Sequence, residues 1–340
     1  MIGANRAFIV LLALALAGCE RKPQELAISG PAQGTTYSIK VASAPDGIDA
    51  HALRVATDQV LDSIDRSMSG YREDSEISRF NASTSTDWFE VSSDLATVVD
   101  YALKVSQASD GMFDITVGPL VAAWGFGPKG EPIDLPDEAK LAELRAQVGY
   151  RKLQARLSPP ALRKSEPGLR VDLNGIAPGY TVDLIAERFQ RLHLSHFMID
   201  LGGEVRAQGR NARGQPWRIA VERPIDAEPE PYAIVSLDNA SVTTSGEYRH
   251  YYDRDGHRYS HTIDPRTGRP VEHTLASVVV VGPTTMYVDA WAKVFNVLGT
   301  EAGRKLALER AMPVMFIEAN GTELHSVTTP QFDPLVSSDK

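Results

Sequence analysis

Apolar positions along the chain follow two periods. Residues 35–41 alternate, with Tyr37, Ile39 and Val41 on one side of the chain, which predicts a half-buried strand. Residues 51–68 instead place Leu53, Val60, Leu61, Ile64 and Met68 at helical spacing, and residues 93–106 do so through Leu95, Val98, Val99 and Leu103. Further helices are predicted over 180–192, 286–298 and 302–311, and strands over 197–201, 217–221, 233–237, 258–263 and 276–281. Residues 118–136, rich in Gly and Pro around Trp124-Gly125-Phe126-Gly127, suggest an ordered loop. Residues 151–171, with Pro159, Pro160 and Pro167, suggest irregular chain. Strands and helices are interspersed without a regular βαβ rhythm, so the expected class is α+β rather than a doubly wound parallel sheet.

The first apolar run is of another kind. Arg6 precedes an unbroken stretch from Ala7 to Ala17 that stops at Gly18 and Cys19. This is too short for a comfortable membrane span and has the form of a secretory signal. Leu16-Ala17-Gly18-Cys19 has the form of a bacterial lipobox, in which Cys19 is acylated after cleavage; a plain signal peptide with an incidental cysteine is the competing reading. The expected organisation is a signal peptide over 1–18, a polar lipid-proximal linker over 19–30, one domain over 31–330 and a polar tail over 331–340. The expected location is the periplasmic face of a bacterial envelope, held to the membrane through a lipid on Cys19.

Composition narrows the function. Cys19 is the sole cysteine, so no internal disulfide forms and stability has to come from a core. The formal net charge of −9, with no basic stripe interleaved with aromatics, argues against nucleic acid as a partner.

Three constellations could carry chemistry. Gly175 and Gly179 bracket the start of a helix after the apolar Val171-Asp172-Leu173, which suits either a phosphate at a helix N-terminus or a tight strand-to-helix turn. His261 and Asp264 flank the end of a strand, as a catalytic pair or as a surface histidine beside a turn-capping aspartate. Asp289 and Lys293, at i and i+4, share a helix face and match an ordinary solvated ion pair. Trp88, Trp124, Trp217, Trp291, Met112 and Phe113 are core or rim candidates as much as ligand contacts.

Six blocks, in order, resemble the ApbE family of FAD:protein FMN transferases. They are Gln33-Gly34-Thr35-Thr36-Tyr37; Met68-Ser69-Gly70-Tyr71 with Ser75-Glu76-Ile77-Ser78-Arg79-Phe80-Asn81; Gly111-Met112-Phe113-Asp114-Ile115-Thr116 with Trp124-Gly125-Phe126; Val171 to Tyr180; the Thr244-Ser245-Gly246 turn with His261 and Asp264-Pro265-Arg266-Thr267-Gly268; and Val288-Asp289-Ala290-Trp291-Ala292 before Leu298-Gly299. The resemblance implies an α+β, T-fold-related architecture of mixed sheets flanked by helices. It implies transfer of FMN from FAD to a threonine of an acceptor flavoprotein subunit through a phosphoester, with release of AMP. It implies FAD contacts at Gln33, Tyr71, Met112, Phe113, Asp114, Asp172, Pro178 and Ile263, and a general base at His261. It further implies Mg2+ held by the Gly175 carbonyl, by Asp289 and by the residue at position 293.

Two positions depart from the family pattern: Pro178 stands where a lysine is usual, and Lys293 where a threonine metal ligand is usual. An ammonium does not coordinate a cation, so the metal is weakened or replaced there. Two other outcomes use the same residues: an FAD pyrophosphatase, in which water replaces the threonine, and a non-catalytic FAD-binding lipoprotein.

Overall fold

A computed structural model of the chain describes residues 25–127, 134–224, 230–246 and 251–336. The expected signal segment 1–18 and Cys19 lie outside the described residues, as does part of the loop expected over 118–136.

Seven helices are described: α1 (Ala50–Met68), α2 (Glu76–Ala82), α3 (Ser93–Ala108), α4 (Gly118–Ala123), α5 (Glu138–Gln147), α6 (Ala177–Arg191) and α7 (Thr285–Glu309). Side-chain caps fix where several of them begin. Asp49 accepts from the Ala52 N–H at α1, Ser92 from Leu95 at α3, and Thr284 from Tyr287 at α7. The two late helices predicted are one element bent at Gly299 (φ 71°), where a Cβ would lie 2.9 Å from the His273 ring.

The central sheet has eight strands, in the spatial order Leu26–Ala32, Thr35–Val41, Phe197–Leu201, Glu204–Gln208, Ala240–Gly246, Leu275–Gly282, Val314–Asn320 and Glu323–Thr328. Each neighbouring pair is antiparallel. One face carries α1, α6 and α7, over a core that includes Ile39, Ile199, Val278, Val280 and Phe295. The other face buries Val205, Val242, Val279 and Val281 beneath the hairpin Trp217–Glu222 with Pro231–Leu237. The fold is thus α+β, a large sheet flanked by helices.

Several boundaries differ from expectation. The first strand begins at Leu26, so the span expected as a linker contributes its last five residues to the sheet. Residues 151–171 contain the hairpin Leu153–Leu157 with Pro160–Lys164, with Pro159 in its turn and Pro160 as the first residue of its second strand. The span 118–136 opens with a short helix, α4. Thr244-Ser245-Gly246 ends a strand instead of forming a turn. The expected tail is partly anchored: Phe332 is fully buried and Val336 bridges to Val235.

Candidate active site

Two cavities meet where α6 begins, against the stretch of α7 that carries Lys293. The first, about 430 Å³, is lined by Met112, Phe113, Ile115, Val121, Phe126 and Ile263, with Tyr71 at its rim, 74% exposed. An aromatic side chain left open to solvent beside an apolar hollow is a platform for stacking. Asp114, Asp172, Gly175, His261 and Lys293 complete this wall. The second cavity, about 510 Å³, is polar, with Ser38, Asp200, Glu204, Glu222, Thr244 and Ser245 in its lining. His261 and Lys293 line both cavities, and no other described lining residue does so.

The wall of the apolar cavity is held by its own carboxylates. Asp114 Oδ1 accepts from the Thr116 N–H at 2.8 Å and the Thr116 hydroxyl at 2.6 Å, while Oδ2 accepts from the Tyr150 N–H at 2.8 Å. Burial pushes the Asp114 carboxyl above its ordinary range, and these bonds only partly oppose the shift. Asp172 accepts from the Asn174 N–H at 2.9 Å, and burial raises it as well. Both aspartates therefore hold the turns that shape the pocket.

The two glycines play different parts. A Cβ at Gly175 would lie 3.1 Å from Lys293 Cγ and 3.5 Å from Phe113 Cε2, so its bare backbone forms part of the cavity wall. A Cβ at Gly179 would lie 2.6 Å from the Thr285 carbonyl oxygen, so Gly179 serves the close packing of α6 on α7. Pro178 sits in the first turn of α6, where its missing N–H costs little. Neither Pro178 nor Gln33 lines either cavity. Gln33 lies in a left-handed turn (φ 49°), and its amide donates to the Thr181 hydroxyl at 2.9 Å.

His261 stands edge-on to Phe126, with ring centroids 6.3 Å apart. Asp264 is turned to structure: it accepts the Arg266 N–H and holds the Arg266 guanidinium bidentately, with Nε 3.0 Å from Oδ1 and Nη2 2.7 Å from Oδ2. The capping reading of Asp264 is the one observed.

Asp289 and Lys293 do not form the simple ion pair that their spacing allows. The Lys293 ammonium donates to Ser245 Oγ at 3.0 Å, and Asp289 Oδ2 accepts the Gly179 N–H at 3.1 Å. Asp289 is 1% exposed, beneath the site rather than in either lining. Burial raises its carboxyl to about 6 against the pull of the nearby Lys293 charge. Glu204 is a group the sequence did not reveal. Burial and the charge of Asp289 drive its carboxyl well above the usual range, Lys293 opposes them, and the Thr243 hydroxyl donates to it at 3.3 Å. Its signal was present but slight: Gly202-Gly203 followed by Val205 and Ala207 at alternate positions places Glu204 on the opposite face from those core residues.

An antiparallel α+β frame with an aromatic-rimmed cavity, and a histidine and a lysine where it meets a second, polar one, suits a large planar ligand with an anionic end. The ApbE family model matches residues 33–316, and the chain belongs to that family. The FAD:protein FMN transferase of Vibrio cholerae is 39% identical over 98% of this chain and 99% of its own length. The protein of that name from Salmonella typhimurium is 37% identical over 98% of each chain. The solved flavin transferase ApbE from Vibrio cholerae superposes with a TM-score of 0.84, covering 92% of this chain and 99% of its own.

Proposed function

We infer that this chain is an FAD:protein FMN transferase. The observation that carries the reading, in a chain of this family, is the apolar cavity that ends on His261 and Lys293. The isoalloxazine ring stacks at Tyr71, and the dinucleotide runs along the Met112-Phe113-Asp114 segment, Asp172 and Ile263. Its pyrophosphate lies against His261, Lys293 and the Gly175 backbone. Gln33, bonded to Thr181 of α6, and Pro178, in the first turn of that helix, stand at further FAD positions of the family outside the two cavity linings.

The acceptor hydroxyl, that of a threonine, attacks the FMN-side phosphorus. A new P–O bond forms as the bond to the AMP oxygen breaks, and AMP leaves with the electron pair. The hydroxyl proton passes to the His261 imidazole acting as general base. Positive charge at Lys293 stabilises the phosphoryl oxygens and the departing phosphate.

The family's magnesium does not fit the residues present. Position 293 supplies an ammonium, which has no lone pair for a metal, and its side chain packs over Gly175 and bonds to Ser245. Asp289, whose Oδ2 accepts the Gly179 N–H, is the one side chain left that could hold a cation as the family's ligand set does. Lys293 takes over the charge that an ion would bring.

The lipobox at Cys19 places the enzyme on the periplasmic face of a bacterial envelope, anchored by lipid. Among the described residues no helix is long and apolar enough to cross a membrane. The acceptor is a protein domain of the same compartment.

Mass spectrometry tests the activity. Incubation of the chain with FAD and the soluble domain of a protein that carries FMN on threonine yields a covalent FMN adduct and AMP. Free FMN with AMP and no adduct would make the chain a pyrophosphatase, and unchanged FAD would make it a binding protein.

A further inference from the structure

We propose that the polar cavity beyond His261 and Lys293 is the channel through which an extended segment of the acceptor protein brings its hydroxyl to the reacting phosphorus. The inference rests on the transferase reading above.

Its first support is connectivity. The two cavities share only His261 and Lys293 among their described lining residues, so a group in either one reaches the same two side chains. In-line displacement at phosphorus needs the nucleophile opposite the leaving group. A single cavity filled by FAD leaves no approach on that side, and the polar cavity opens one.

Its second support is the chemistry of the wall. Ser38, Asp200 and Val205 lie across from one another on neighbouring strands and share one sheet face. The Trp217–Glu222 strand closes over that face with Ile219, Ala220 and Glu222. Asp200, Glu204 and Glu222 give the cavity a surface rich in carboxyl oxygens. Burial raises the Asp200 carboxyl, the Gly203 N–H bonded to it at 3.0 Å opposes the shift, and the neighbouring Glu222 adds to it. Apart from His261 and Lys293, no cation among the described residues lines this cavity, so it offers the pyrophosphate of FAD little beyond those two side chains. A peptide in extended form, with N–H groups to offer, fits it.

Bulk placed in the channel at two independent points tests the assignment. Ser38 and Ala220 are exposed, belong to different strands and line the polar cavity alone. Ser38→Trp and Ala220→Trp are compared with wild type and with Val121→Trp, which fills the apolar cavity. Readouts are FAD affinity by fluorescence and FMN transfer to the soluble domain of a protein that carries FMN on threonine. Both channel variants should keep wild-type FAD affinity, which also reports correct folding. Both should lose on the order of tenfold or more in transfer at low acceptor concentration, through a raised acceptor KM. Val121→Trp should lose FAD affinity. Wild-type transfer by both channel variants would overturn the proposal, as would loss of FAD affinity in them, which would give the cavity to the dinucleotide. If wild type itself forms no adduct, the transferase reading fails and this inference goes with it.

Discussion

His261 is placed where both cavities end, a position from which one imidazole can face the bound dinucleotide and an incoming hydroxyl. A general base contributes on the order of 10²–10⁴-fold to rate and little to ground-state affinity. His261→Ala is therefore expected to lower transfer by that range while FAD titrations stay near wild type; near-normal turnover would reduce His261 to a wall residue. Lys293 invites a different experiment. A point charge is a poorer clamp than an ion coordinating two phosphate oxygens, but a chelator cannot remove it. Wild-type transfer should survive EDTA, whereas Lys293→Thr should be slower without added Mg2+ and regain activity with it. Complete loss of wild-type transfer in EDTA would return the metal to the site. At this scale the sequence revealed identities better than roles. Gly175 and Gly179 look equivalent as letters, and only the neighbour each would strike separates a cavity wall from a helix contact. Glu204 after two glycines resembles a solvated turn residue until the approach of Asp289 and Lys293 is known.

Among the elements, α7 does the most to position the site, since it carries Asp289, Lys293 and Asn296, whose amide donates to Ser245 Oγ at 2.7 Å beside the Lys293 ammonium. Its N-terminus is fixed from outside: Asp183 of α6 accepts the Thr285 and Met286 N–H groups, one on each carboxylate oxygen, both at 2.8 Å. A carboxylate there satisfies two orphan donors and meets the positive end of the helix dipole. Asp183→Ala should cost about 1–2 kcal/mol in urea denaturation. The pH dependence has a definite sign. Burial raises the Asp183 carboxyl despite the bonds from Met286 and Thr285, so the folded state holds its proton more tightly than the unfolded one. The stability this group contributes is fullest below the ordinary carboxylate range and declines as pH rises through the raised pKa. Against wild type, Asp183→Asn should flatten the stability profile across that window; a parallel profile would contradict the assignment. Helices were legible because their apolar stripes repeat over several turns, as in α1, where Leu53, Leu61, Ile64 and Met68 are all buried. The strand Ala240–Gly246 was not. Its run of small and hydroxyl residues is covered on both faces, so no alternation marks it.

For the molecule as a whole, the site stands where separately packed parts converge. Phe113 and Ile115 belong to the core beneath α3 and α7, whereas Ile263 belongs to the smaller cluster around Leu120 and Trp124. Residues of both clusters line the apolar cavity, so a ligand that fills it touches both. The α+β class could be inferred from the irregular order of strands and helices, but this convergence could not, because it depends on contacts between distant segments, such as Trp124 Nε1 donating to the Gly268 carbonyl at 2.7 Å. The bridging sets an expectation for ligand response. A ligand that binds only the folded state stabilises it by about 2.7 kcal/mol at a hundred times its Kd. On the proposed placement FAD spans the ring platform at Tyr71, the pyrophosphate position at His261 and Lys293, and the wall at Phe113, Asp114 and Asp172, whereas FMN lacks the AMP half and reaches only part of this surface. Thermal unfolding of residues 19–340 should therefore shift further with FAD than with FMN at equal concentration, and AMP alone should give the smallest shift. Equal shifts with FAD and FMN would mean that the adenosine half makes no net contact, and the extended placement of the dinucleotide along Phe113, Asp114 and Asp172 would have to be abandoned.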